Sequence, residues 1–168
     1  VVDVPPEQRS IRARGTDAPI DQIPPQVEIM QDGSASTLLS DFTGHPEALD
    51  LFNAALTSAG AQLRPGGRML VIGFGGGDDL WAARHQGVQI IDAVDLNAPV
   101  LAAHTTVRPS WSHRLLSDDN IHMEVAEGRN TLMRTTKRYD LVQLTGIDTW
   151  TALTSGAYML AENHLYTT

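Results

Sequence analysis

Two features of the sequence have the residue types and spacing to do chemistry: the run Gly73-Phe74-Gly75-Gly76-Gly77-Asp78 and the acid Asp95. A glycine-rich turn lets the backbone approach a ligand closely and aims the amides of a following helix toward it. A dinucleotide-binding turn has the pattern Gly-x-Gly-x-x-Gly, which would put the third glycine at position 78. That position is Asp78, which would repel a pyrophosphate and attract a cationic group such as an amine. The turn therefore favours an adenosylmethionine-like ligand over NAD. Asp95 follows the first glycine by 95 − 73 = 22 residues. A carboxylate at about that distance accepts hydrogen bonds from ribose hydroxyls in nucleotide-binding α/β folds. On its own Asp95 is also compatible with an acid that merely ends a strand. Glu127-Gly128 has the composition of a third loop in the same crevice, where a carboxylate orients an adenine amino group. A solvated loop acid explains it equally well.

The elements that must position these residues follow from hydrophobic patterning. Met69-Leu70-Val71-Ile72 is a continuous apolar run, as expected of a parallel strand buried on both faces. Val88–Val94 reads as a second strand ending at Asp95, Ile121–Val125 as a third, and Tyr139–Leu144 as a fourth. Between them lie helical stretches at 79–85, after Asn97 (a cap candidate with Pro99 in the first turn), and near 130–135. Alternating strands and helices imply an α/β, doubly wound parallel sheet of order 3-2-1-4. Upstream, Asp32-Gly33 between two short apolar stretches predicts a β-hairpin over 27–40. Pro46 predicts a helix start, with Leu49, Phe52, Leu56 and Ala59 on one apolar face. Residues 1–26 hold five prolines and read as an extended arm or linker, with 27–168 as the nucleotide-binding domain and 46–168 as its α/β core.

With those residues in place, the sequence resembles the spermidine synthase (polyamine aminopropyltransferase) family, in particular its divergent spermidine-synthase-like members. Residues 71–78 resemble the family's glycine-rich motif, and Val94-Asp95-Leu96-Asn97 with Val100 its second-strand acid motif. Glu127-Gly128 is similar to its Asp-Gly pair, Tyr139-Asp140-Leu141-Val142 to the start of its fourth strand, and 161–167 to the segment after its active-site loop. The resemblance implies a Rossmann-like class I methyltransferase fold with an N-terminal hairpin and further C-terminal strands that this chain lacks. It implies a cofactor, S-adenosylmethionine or its decarboxylated form, held by Gly73, Gly75, Gly77, Asp78, Asp95, Leu96, Glu127 and Gly128. It also implies a small-molecule amine acceptor such as putrescine. The family's fourth strand ends in two acids, of which the first activates the amine. Here Thr145 stands in the first place and only Asp148 remains as a catalytic candidate, so little aminopropyl transfer is expected. Residues 149–160 read as an insertion at the substrate gate. The alternatives are a methyltransferase using the same crevice and a non-catalytic nucleotide-sensing or interaction domain.

Composition narrows the classes further. The 168 residues are 42% hydrophobic and 19% charged, suited to one globular domain, and the formal net charge is −8. Without a Lys/Arg run, neither nucleic acid nor an anionic membrane is expected as a partner. The absence of cysteine excludes disulfides and zinc–thiolate centres. The six histidines are scattered without metal-ligand spacing, so no metal is expected and surface or capping roles are assigned to them. No apolar run approaches the roughly 18 residues of a membrane span, and a cytoplasmic location is expected. An unpaired edge on the fourth strand predicts coverage by the C-terminal segment or by a second copy in a homo-oligomer.

Overall fold

The structure is a computed structural model that describes residues 1–11, 20–31 and 35–145. Its centre is a four-stranded parallel sheet of β4 (Arg68–Ile72), β5 (Ile90–Asp95), β6 (Ile121–Val125) and β7 (Leu141–Leu144), in the order β6-β5-β4-β7. This is the 3-2-1-4 order of a Rossmann-like α/β fold, as the patterning predicts. Register places Met69, Ile91 and Ile121 side by side, and Leu70, Asp92 and His122 in the next row.

The two faces of the sheet differ. Met69, Val71, Ile91 and Ala93 face the main core, together with Leu80 and Trp81 of α2 (Asp78–His85), Val100 of α3 (Ala98–Ala102) and Leu115 of α4 (Pro109–Leu116). Phe42, Phe52 and Trp81 add an aromatic cluster, with Phe42 at 5.2 Å from Phe52 and 5.7 Å from Trp81 between ring centroids. Burying side chains of this size contributes about 1.5–3 kcal/mol each. The opposite face carries a smaller cluster of Leu70, Ile72 and Val94, and α5 (Gly128–Arg134) follows β6. There Asp92 is buried in mid-strand and paired with Lys137 at 2.7 Å.

The helix expected from Pro46 is wound differently. Pro46–Ala54 and Leu56–Ser58 are 3₁₀ segments, followed by the short α1 (Ala59–Gln62). Ala55 adopts extended dihedrals of −88° and 130° and breaks the run. The break and the tighter winding shift the phase: Leu49 and Phe52 stay buried while Leu56 turns out, 76% exposed. Asn97 sits at the N-cap of α3, but its side chain makes no capping hydrogen bond.

The hairpin is part of a larger unit. β2 (Gln26–Gln31) and β3 (Ala35–Ser40) pair antiparallel, and β1 (Val2–Val4), from the stretch read as a proline-rich arm, adds a third strand along β2. Gln26 ties the segment down, donating to the Ser10 carbonyl and to Ser40 Oγ while accepting from the Ser10 amide. The Asp32-Gly33 turn itself lies outside the described residues. Among the described residues, no helix is long and apolar enough to cross a membrane.

Candidate functional site

A cleft of about 900 Å³ opens beyond the carboxyl ends of β4 and β5, where ligands bind in open α/β sheets. Its floor is the glycine turn, with Ile72 and Gly128 beside it, and its other wall is the N-terminal three-stranded sheet. Gly73, Gly75, Asp78, Asp95, Leu96, Glu127 and Gly128 of the sequence-predicted set all line it, and Gly77 lies one residue inside as the left-handed N-cap of α2. Leu96 is exposed and offers the cleft an apolar surface. Asp148 and the proposed insertion at 149–160 lie outside the described residues.

The turn is held by the protein's own oxygens. The Gly73 amide donates to the Val94 carbonyl at 2.7 Å, and the Gly77 amide to the Phe74 carbonyl at 2.8 Å. The Gly75 amide donates to Asp95 Oδ2 at 3.1 Å and the Gly76 amide to Thr37 Oγ1 at 2.9 Å. These amides are therefore committed to protein acceptors rather than presented to a phosphate. At two positions a Cβ would also strike the N-terminal sheet. Gly75 has a φ of +49°, and a Cβ there would meet Thr37 Oγ1 at 2.6 Å. A Cβ on Gly76 would collide with the Leu38 carbonyl of β3, so the two backbones touch at this point.

Asp95 is buried at the end of β5, and both its oxygens are oriented by backbone amides: Oδ2 by Gly75, and Oδ1 by Asn97 at 2.9 Å. Each oxygen retains acceptor capacity toward the cleft, since a carboxylate has about four lone-pair sites. Glu127 lines the cleft and also serves as the N-cap of α5. Its two oxygens accept from the Arg129 amide at 2.9 Å and the Asn130 amide at 2.7 Å, capping α5. The cap holds a negative charge at the cleft rim and leaves the remaining lone pairs facing outward.

The cleft's charge is one-sided. Asp3, Glu28, Asp78, Asp79, Asp95 and Glu127 line it, and no Lys, Arg or His does so among the described residues. Thr145, just after β7, also lines the cleft, and its Oγ1 accepts from Gln143 Nε2 at 3.1 Å. The same amide donates to the Thr57 carbonyl at 3.0 Å, so Thr145 is fixed as part of a neutral wall.

Several of these residues are not evident from sequence. Thr37, Leu38, Asp3 and Glu28 reach the cleft only because β1–β3 fold over it. His104, grouped with surface histidines by its position, is fully buried beneath the glycine turn. It belongs to no metal-ligand spacing with the other histidines, and nothing in its residue type marks it for the interior.

No known protein family matches the sequence, and no curated protein does. Several solved structures are similar to it at low sequence identity. A protein-L-isoaspartate O-methyltransferase is similar with 16% identity over 83% of this chain and 41% of its own, at a TM-score of 0.45. A spermidine synthase in complex with the transition-state analogue AdoDATO is similar with 17% identity over 82% of this chain and 46% of its own, at 0.43. The spermidine synthase from Thermotoga maritima is similar with 17% identity over 84% of this chain and 48% of its own, at 0.44. This chain thus spans less than half the length of those proteins.

Proposed function

We propose that the cleft binds an adenosyl sulfonium, S-adenosylmethionine or its decarboxylated form, and serves a transferase reaction to an amine acceptor. The observation that carries this reading is the oriented Asp95 carboxylate beside the glycine turn, in a cleft lined by acids and by no cationic side chain among the described residues. A sulfonium gains from such surroundings, whereas the pyrophosphate of a dinucleotide would face repulsion from Asp78 and Glu127 with the turn's glycine amides already engaged. Asp95 accepts from the ribose hydroxyls, and Leu96 and Ile72 flank the base.

When bound, the sulfonium supplies an electrophilic carbon adjoining sulfur. The chain's part is to bind and orient the two substrates. An attacking amine must be unprotonated, and Thr145 is a poor proton acceptor, so aminopropyl transfer is slow. The fixed neutral wall formed by Thr57, Gln143 and Thr145 favours a second reading, methyl transfer to a nucleophile that needs no carboxylate base.

Calorimetric titration with methylthioadenosine, S-adenosylmethionine, decarboxylated S-adenosylmethionine and NAD tests the ligand class, and product analysis with a panel of amines tests the reaction. The adenosyl ligands are expected to bind and NAD is not. NAD binding more tightly than S-adenosylmethionine would overturn the reading.

A further inference from the structure

Beneath the glycine turn lies a buried histidine that the proposed ligand contacts do not use. His104 sits in a π-helical turn, Ala103–Val107, between α3 and α4. Such turns insert a residue into a helix and recur at functional sites. Here the turn directs the ring inward, edge-on to Phe74 at 5.8 Å between centroids. Nε2 lies 2.8 Å from the Gly75 carbonyl, and Nδ1 lies 2.7 Å from Oγ of Ser112, itself fully buried.

The partners settle the tautomer. A carbonyl only accepts, so Nε2 carries the hydrogen and donates to Gly75. In the neutral ring Nδ1 then accepts, and the Ser112 hydroxyl donates to it. Burial pushes the imidazolium's pKa below the usual histidine value, opposed by the hydrogen bond to Gly75 and by the Asp95 carboxylate. The neutral form therefore prevails at neutral pH.

Gly75 is consequently gripped on both sides: its carbonyl by His104, and its amide by Asp95 Oδ2. Its φ of +49° is a conformation that needs such support to be held uniquely. We infer that His104, its ring anchored by Ser112, is a positioning residue that locks Gly75 and thereby orients the Asp95 carboxylate in the cleft. The contacts run from Ser112 through His104 and Gly75 to Asp95. The inference rests on the proposed adenosyl site for its effect on affinity, but its effect on Gly75 stands without any ligand.

The test compares His104→Phe, which keeps an aromatic ring without hydrogen bonds, with His104→Gln, whose amide can both donate to Gly75 and accept from Ser112. Ser112→Ala is a milder third variant. Two quantities are read on the folded proteins: native-state hydrogen exchange of the Gly75 amide, and the calorimetric Kd for methylthioadenosine. His104→Phe is expected to accelerate Gly75 exchange relative to β4 amides and to raise Kd by about 3- to 10-fold, the equivalent of one neutral hydrogen bond. His104→Gln should restore most of both. Exchange and Kd unchanged in His104→Phe, or His104→Gln no better than His104→Phe, would overturn the inference. If His104→Phe does not fold, Ser112→Ala decides: faster Gly75 exchange supports the inference, and unchanged exchange overturns it. Failure of the unsubstituted protein to bind methylthioadenosine would sink the adenosyl reading alone, since the exchange comparison remains.

Discussion

Thr37 and Gly76, 39 residues apart, are joined by a 2.9 Å hydrogen bond from the Gly76 amide to the threonine hydroxyl oxygen. One residue further on, the Leu38 carbonyl packs against the Gly76 α-carbon. The N-terminal sheet is thus seated on the glycine turn at its tightest point.

Replacing Thr37 by valine keeps the shape and removes the acceptor. The Gly76 amide is then left without its partner at a partly buried site, and the protein should lose about 1–2 kcal/mol. Thr37→Ser should recover most of it. Urea denaturation midpoints at constant m-value measure the difference.

Gly76→Ala should cost more, because the new methyl group meets backbone rather than a movable side chain. Overpacking of this kind typically costs about 1–3 kcal/mol or more. The strain falls on the contact between turn and sheet, so β3 amides should lose exchange protection before those of β4. Equal loss across both would show that the two units do not separate.

Asp95→Asn probes the carboxylate without changing its size. An asparagine has one acceptor oxygen, so it cannot satisfy the Gly75 and Asn97 amides together. Affinity for methylthioadenosine should fall by roughly 1.5–3 kcal/mol, the range for hydrogen bonds to charged groups. An unchanged Kd would remove Asp95 from the binding site.

The buried ring of His104 sets a pH dependence. Its folded-state pKa is lowered, chiefly by desolvation, so the fold favours the neutral form. An unfolded chain takes up the proton near pH 6.5. The stability due to His104 is therefore fully present above that pH and is lost as pH falls below it toward the folded-state value. Urea midpoints measured from pH 7.5 down to 5 should decline in the unsubstituted protein and decline less in His104→Gln.

Thr145→Asp places a carboxylate at the end of β7, beside the Gln143 amide. If the acceptor is an amine, general-base help worth about 10²–10⁴-fold becomes available. Spermidine formation from putrescine and decarboxylated S-adenosylmethionine should then rise above that of the unsubstituted chain. Brisk turnover with Thr145 in place would show that the proton leaves by another route.

What could be read from sequence follows from the range of the interactions involved. Met69–Ile72 is apolar at every position because β4 is covered on both faces, so the strand and the turn after it are legible locally. Asp95 is legible because its distance from the turn reflects one strand–helix–strand unit. β1 is not: three residues ahead of Pro5 carry too little pattern, and their pairing with β2 exists only in the folded chain. Gly76 stands in a glycine run that conceals which member is sterically required, since the obstacle is Leu38 of a remote strand. Glu127 is legible as an acid near the cleft but not as a cap, because its side-chain type is uncommon at that position. His104 is not legible as a buried group, because its spacing to the other histidines points to nothing and its role rests on a contact with Gly75 made across 29 residues.

The seating of β3 on the turn has a kinetic consequence. Asp3 pairs with Arg108 and Thr37 with Gly76, across 105 and 39 residues, and contacts of such separation form late in folding. The β4–α2–β5 unit closes over a much shorter loop and can assemble earlier. The β4–α2–β5 unit can therefore form before β1–β3 supply the cleft's second wall. Ligand affinity, followed in time, should lag behind the recovery of helix and core fluorescence, so that binding competence is the last property the molecule acquires.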